Sequence, residues 1–442
     1  MRPDPLASDC LASDCKFTPY WWDVDGVDLA ALAEPRAALP ERVDVAIVGA
    51  GYTGLSAALT LARAGRAVAV LDAEVPGFGC SSRNGGLVGP SLHKLGLAGL
   101  RAKYGARKAE DILRESMAGL EFLIDLIARE RIDCHLVRSG RFRGAISPRG
   151  YEAMARETEA LKKAVGLDAD MVARAEQGAE IGSDHYHGGV VAHGDGFLQP
   201  ALYAAGLAAR CRLAGAGLFG RARVESVSRD GQDFELRIGG RRLKARNVLI
   251  ATNGYTGKEL PGFRRRLIPL RSGMIATEAL SGDTMRSISP KNRGFSDDSR
   301  LVYYYRPSPD GRRLLFGGRA FDIADRPRAY GRDLHAGMTR IFPQLRAVAI
   351  SHVWSGVVAY TFDHAPHLGE FDGIHYAMGY CGSGVGRATY FGHKIALRIL
   401  GHPESRTAFD DLPFETRPFY NGYPWFVPLV LRWHALIDRM GR

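Results

Sequence analysis

Gly49, Gly51 and Gly54 form a G-x-G-x-x-G run of the kind that can cradle a phosphate. Gly49 would permit a tight turn, Gly51 would let the backbone approach a pyrophosphate, and Gly54 would let helix and strand pack closely. Spacing alone is weak evidence, but the flanking residues supply the context it needs. The apolar run Val43–Val48 reads as a buried strand, and Leu55–Ala64 has helical periodicity ending at Gly65. Ala67–Leu71 reads as a second buried strand finishing on Asp72. Strand, glycine turn, helix and strand within about thirty residues make a βαβ unit. Its helix would offer free N–H groups and a positive dipole end to the phosphates, and Asp72 would accept from the adenosine ribose. NAD and FAD both satisfy this motif.

A second glycine turn, Gly379 to Gly386, follows the strand Ile374–Met378 and opens a helix through Ile399. Donors there would stabilise a negatively charged reduced flavin by roughly 1–2 kcal/mol; the plainer reading is a strand-to-helix connection. Tyr303, Tyr304, Tyr305 and Arg306 close a strand before the turn Ser308-Pro309-Asp310-Gly311. Arg306 would clamp a substrate carboxylate bidentately, with aromatic walls excluding water. The competing reading puts alternate tyrosines in the core and Arg306 on the surface. His185, His187 and His193 lie in a glycine-rich stretch where no acidic residue completes a metal spacing, so no metal is expected. No second complete strand–GxGxxG–helix occurs between 110 and 260, and no close cysteine pair exists. Both facts argue against an NAD(P)H-coupled flavin reductase or a disulfide reductase.

The elements that must position these residues form a recognisable order. Residues 106–130 and 148–165 read as amphipathic helices, and Ala201–Arg212 as a helix entered after Pro200. Residues 222–250 read as a small antiparallel meander, with further strands at 301–305 and 313–318. The expected fold is α/β (α+β overall): a discontinuous Rossmann-type dinucleotide domain from 40–95, 187–260 and 350–402, and a substrate domain from 96–186 and 261–349 on a mixed, largely antiparallel sheet. Residues 1–39 read as a partly disordered extension, with the tandem LASDC-LASDC before residue 16 unstructured, and 403–442 as a C-terminal extension.

Composition excludes several classes. The net charge of +11 comes from arginines spread along the chain, not gathered in a block, so no nucleic-acid partner is expected. Six scattered cysteines suit reduced thiols in a cytoplasm. No run is apolar and long enough to suggest a transmembrane helix, and the N-terminal residues do not read as a signal peptide. The segment Tyr423 to Leu436 is the most lipid-like; it reads as a helix packed on the body or as a weak interfacial membrane contact.

Three stretches decide the cofactor through resemblance. Gly77-Phe-Gly-Cys-Ser-Ser-Arg83-Asn84-Gly85-Gly86, Val248–Gly254 and Gly379–Gly386 resemble segments of the D-amino-acid-oxidase-like superfamily of FAD-dependent oxidoreductases. Trp354-x-Gly356 and Thr361-x-Asp363-x-x-Pro366-x-x-Gly369 match a further segment, and the resemblance covers roughly 40 to 400. Tyr20-Trp21-Trp22, the RNGG stretch, Tyr304-Tyr305-Arg306 and a Pro-Trp-Phe C-terminus are closest to its gamma-glutamylputrescine oxidoreductase branch. The resemblance implies FAD held by Gly49, Gly51, Tyr52, Thr53, Gly54, Asp72, Ser81, Ser82, Arg83, Asn84, Gly85, Val224, Thr252, Gly382, Gly384, Val385 and Gly386. It implies Tyr305 and Arg306 on the substrate side, in a strand over the flavin.

The expected reaction is oxidation of a C–N bond in a small amine or amino acid by hydride transfer to flavin N5. The imine then hydrolyses, and O2 is the expected acceptor ahead of a quinone or carrier protein. Two departures stand out: residues 292–393 contain no lysine of the kind some relatives keep near the flavin, and Val358 or Ala359 stands where certain relatives carry a flavin-linking cysteine. Non-covalent FAD follows. A flavin monooxygenase would want a Gly-Asp signature that 379–386 lacks, and a redox-responsive flavin binder is the remaining alternative.

Overall fold

A computed structural model describes residues 10–24, 26–29, 31, 39–90, 92–319 and 325–439. Its first half-molecule grows from the Arg42–Val48 strand, whose Val45, Ala46 and Ile47 are fully buried. A strand apolar on both faces needs cover on both, which is the parallel-sheet condition. It pairs in parallel with Val68–Leu71 on one side and Arg241–Ile250 on the other. Gly217–Phe219 extends the sheet beyond Val68–Leu71, and Ile374–Met378 also pairs in parallel with Arg241–Ile250. The meander Val224–Asp230, Asp233–Ile238, Arg241–Ile250 is antiparallel, as the glycine turns imply. Helices Tyr52–Arg63 and Gly384–Ile399 lie together on this sheet, and helix Pro200–Leu213 packs beside them.

The second half-molecule is a nine-stranded sheet, largely antiparallel, with two parallel pairings. Its centre is the pairing of Ile268–Thr277 with Ile350–Tyr360, antiparallel over nearly their full lengths. Helix Pro327–Ile341 covers one face, closing a core of Phe295, Tyr305, Phe316 and Phe342. The helices expected at 106–130 and 148–165 occur as Ala106–Glu130 and Pro148–Val165. The second begins on Ser147, whose hydroxyl accepts the Gly150 N–H, and ends at left-handed Gly166.

Three expectations are corrected here. Gly189–Ala192 and Ile350–Tyr360, expected within the dinucleotide segments 187–260 and 350–402, pair into the larger sheet. Leu11–Lys16, expected unstructured, forms a strand parallel to Ile350–Tyr360, with the Ile350 N–H donating to Cys10 O (2.8 Å). Leu11 is buried there, so one apolar side chain and a free sheet edge order a polar sequence. The rest of the first LASDC copy lies outside the described residues. Finally, the strand expected at 301–305 runs Tyr304–Pro307, placing Arg306 within the sheet.

Candidate active site

Parallel strands bring their carboxyl ends to one edge, and the sequence-predicted cofactor residues gather there. Gly49 takes φ 105°, and a Cβ on it would stand 2.9 Å from Ala251 O. A Cβ on Gly54 would stand 1.9 Å from Gly49 O, so only glycine allows the helix to start this close to the strand. Gly51 precedes the helix without a side-chain cap, and no acidic residue occupies the first turn. The helix end therefore keeps its positive partial charge for a ligand. Asp72 accepts the Ala50 N–H (2.7 Å) and the Glu74 N–H (2.9 Å), and so ties down the glycine turn. Each of its oxygens retains a lone pair for a sugar hydroxyl. Burial raises its pKa, while the two backbone bonds oppose that. Ala222 donates to Asp72 O (2.7 Å), which sets the buried Val224 near the same strand end.

The stretch after Asp72 is held from three sides by indoles, a role that sequence reasoning did not assign. Trp22 donates to Ser82 Oγ (3.0 Å), Trp21 to Asn84 O (2.9 Å) and Trp354 to Arg83 O (2.8 Å). Ser81 Oγ accepts the Tyr52 N–H (3.0 Å), joining this stretch to the glycine turn. The Asn84 amide donates to Cys80 O (2.9 Å) and accepts from the Gly86 N–H (2.8 Å). Arg83 lies over both Trp22 and Phe78 (4.5 and 4.4 Å to the ring centres), and its Nε donates to Phe78 O (2.8 Å). These contacts make Arg83 a brace of the loop. Gly85 faces Tyr304, whose ring would lie 2.9 Å from an added Cβ.

The second glycine turn reaches the same edge. Cys381 and Gly382 adopt positive φ, and Asn253 Oδ1 accepts the Gly379 N–H (2.9 Å). Thr252, before Asn253, shares a hydrogen bond with Thr256 (2.7 Å). The helix opening at Gly384, Val385 and Gly386 again has no side-chain cap and no acidic first turn. Thr53 points into the contact between the two helices, where its hydroxyl meets Tyr380 (2.7 Å). A Cβ on Gly392 would stand 2.3 Å from Thr53 O, so this helix crossing depends on a glycine that no motif marks. Two uncapped helix ends, a half-buried acid and a glycine cradle meet what FAD's anionic and ribose groups require, so the residues present fit that cofactor.

The substrate-side expectations fare differently. Alternation along Tyr304–Pro307 sends Tyr305 away from the edge, into the core under helix Pro327–Ile341. It stacks between Phe295 and Phe316 (5.1 and 5.3 Å), and its hydroxyl shares a hydrogen bond with Tyr186 (2.8 Å). The structure does not bring Tyr305 to the site; Tyr304, packed against Gly85, is the tyrosine there. Arg306 shares Tyr304's face but is 1% exposed. Its Nη1 donates to Leu198 O (2.6 Å) and its Nε to Pro307 O (2.9 Å), beneath Gly86. Phe197 and Trp21 flank the guanidinium (4.2 and 5.0 Å), and Nη2 has no hydrogen-bond partner among the described residues. Burial brings its pKa down to about 9. The expected open clamp is thus a cation enclosed below the RNGG stretch, because the chain folds Leu198 and Trp21 over it.

Lys94 approaches the end of the Ile350–Tyr360 strand from elsewhere, bonding the Tyr360 hydroxyl and covering its ring (4.5 Å). Cys381 donates its N–H to Ala359 O (2.9 Å) at that point. Among the described residues no group of three or more His, Cys, Asp or Glu side chains could hold a metal ion.

Comparison with known proteins places this architecture in a class. The model of the DAO family, FAD dependent oxidoreductase, matches residues 44–398. The chain belongs to that family and is an FAD-dependent oxidoreductase, as its motifs led us to expect. It is 33% identical over 408 residues to gamma-glutamylputrescine oxidoreductase of Escherichia coli (strain K12), covering 90% of this chain and 93% of that protein. Glycine oxidase from Geobacillus kaustophilus shares its fold with a TM-score of 0.69 at 21% identity, covering 86% of this chain and 99% of that one. L-proline dehydrogenase from P. horikoshii does so with a TM-score of 0.70 at 18% identity, covering 88% and 98%.

Proposed function

We propose that the chain oxidises the C–N bond of a small amine or amino acid, with O2 as the terminal acceptor. The observation that carries this reading is the meeting of two uncapped helix ends at one sheet edge, with Tyr304 of the second sheet packed on Gly85 beside them. Its chemical class is supported by the proteins the chain resembles, whose names specify gamma-glutamylputrescine, glycine and L-proline. All three compounds carry an oxidisable carbon next to nitrogen.

The helix end at Tyr52–Arg63 and the Gly49–Gly54 turn would hold the pyrophosphate, Asp72 the ribose, and the Gly382–Gly386 turn the electron-rich end of the flavin. FAD supplies the two-electron acceptor that such an oxidation needs. Tyr304 would form an aromatic wall that excludes water and orients the amine. Arg306 would act through the RNGG stretch, holding positive charge beneath it without touching substrate. A substrate carbon loses hydride, its nitrogen lone pair closes the imine, and water releases a carbonyl compound and an amine or ammonia. Return of the electrons to O2 gives H2O2.

The test is anaerobic bleaching of the purified yellow protein by a panel of D-amino acids, N-methyl amino acids, gamma-glutamylated diamines and simple amines. Bleaching by one class, followed by H2O2 release in air, is the expected result. A flavin that no amine reduces would overturn the proposal, and bleaching without H2O2 would replace oxygen with another acceptor.

A further inference from the structure

The C-terminal helix Val427–Arg439 carries apolar residues on two faces, and only one of them is used. Val427 and Leu431, one turn apart, are buried against Leu270 of the larger sheet. Tyr420 adds an inward anchor by donating to Leu267 O (2.7 Å). The outward side presents Trp425, Leu429 and Trp433, which are 65%, 62% and 60% exposed, together with Phe419, Tyr423 and Val430. Scattered exposed apolar residues are ordinary, but a contiguous group of large aromatic ones marks an interaction surface.

Charge selects the partner. No acidic residue occurs between Glu415 and Asp438; inside that interval Arg417 pairs with Glu415 (2.6 Å), and Arg432 is exposed on the helix. Arg264 packs against Gly422 and is followed by the exposed Arg265, so with Arg432 the patch has a basic rim, while Arg266 turns away onto Phe371 (4.3 Å). A two-fold contact between copies would set that rim against itself, in a chain of net charge +11. Tryptophan and tyrosine have apolar bodies and polar edges, which favours the headgroup region of a bilayer, and arginines favour anionic headgroups. No helix among the described residues is long and apolar enough to cross a membrane, so the contact would lie in the interface plane.

We propose that the exposed face of Phe419–Trp433 docks the enzyme on an anionic lipid surface. The helix rests on Val358, Tyr360 and Leu301, so docking would set the flank of the candidate active site, at the Tyr360 strand end, towards the lipid. This inference does not depend on which amine is oxidised.

The experiment is flotation of the full-length, FAD-loaded protein with vesicles of phosphatidylcholine, with and without about one third phosphatidylglycerol. The expected result is binding at least about tenfold stronger to the mixed vesicles, lost in about 0.5 M salt. Trp425→Ser with Trp433→Ser should cost about tenfold or more in partitioning, with flavin content and melting temperature unchanged because both side chains are exposed. Arg432→Gln, which touches no apolar contact, should weaken binding to anionic vesicles only. Failure of the wild-type protein to float with mixed vesicles would overturn the proposal. So would equal binding by the double variant, or a wild-type dimer that the double variant dissociates while neither floats.

Discussion

The Arg42–Val48 strand and the Tyr304–Pro307 strand both end at the candidate site, but they shape it by different means. At the first, selectivity resides in the backbone: Gly49 and Gly54 are required by contacts with Ala251 O and Gly49 O, and the site is made of N–H groups. At the second, it resides in side chains, with Tyr304 and Arg306 sent to one face and Tyr305 to the other. The glycine edge tolerates no added atom at Gly49 or Gly54, whereas the antiparallel strand tolerates change according to which face receives it. Substitutions should therefore fail in distinct ways in the two regions.

The largest effect is expected at Gly54. Gly54→Val drives a branched side chain into Gly49 O and should abolish both soluble folded protein and bound FAD, read by expression and visible absorbance. Gly51→Val should separate the two losses. Its added Cβ meets only Ser81 Oγ (2.9 Å), so the chain should fold while losing FAD. Stoichiometric FAD in a folded Gly51→Val variant would move the phosphate site elsewhere.

Next comes Tyr305→Ala, which opens the core between Phe295 and Phe316 and should cost about 3–5 kcal/mol in denaturant unfolding. Tyr304→Phe removes only a hydroxyl that shares a hydrogen bond with Ser272 (2.9 Å), and should alter kcat and KM more than stability. If Tyr305→Phe changes turnover more than Tyr304→Phe does, the division of the strand's faces is wrong.

Arg306→Ala leaves the Leu198 and Pro307 carbonyls without their donor and should cost about 1–3 kcal/mol. Arg306→Lys should recover part of that. Because the guanidinium is enclosed, kcat/KM should fall by similar factors for carboxylate-bearing and uncharged amines. A KM rise confined to the carboxylate-bearing amine would restore the clamp that the sequence suggested.

The smallest effect is titration near the glycine turns. His93 accepts the Leu95 N–H at Nδ1 (3.1 Å), is buried beside Arg387, and has its pKa brought down to about 4, chiefly by burial. The unfolded chain protonates this residue near pH 6.5. Between about pH 6.5 and pH 4 the unfolded state therefore binds more protons, and stability falls as pH falls, levelling below the folded pKa. Melting curves of wild type and His93→Gln should converge as pH falls through that window. Parallel curves would assign the acid sensitivity to other groups.

The dinucleotide unit was legible because its signals are local. Glycine spacing, a doubly buried strand and an acid at the next strand's end all fall within one βαβ unit, and each follows from short-range sterics. The helices at 106–130 and 148–165 were legible for the same reason, since amphipathic periodicity states which side must be covered. What the sequence could not state was which element does the covering. Which face of Tyr304–Pro307 looks at the site depends on Gly85, far away along the chain, and on what helix Pro327–Ile341 covers. The strand at Leu11–Lys16 exists because Ile350–Tyr360 offers an edge, and the three indole donors act only once Trp21, Trp22 and Trp354 meet the Ser82–Asn84 stretch. Gly392 has no motif around it, and only the crossing of two helices explains it. The sequence by itself determined the cofactor's cradle, because backbone geometry there is set by neighbours in the chain. Tertiary structure alone decided the substrate face, because a strand's two sides are told apart only by what packs against each.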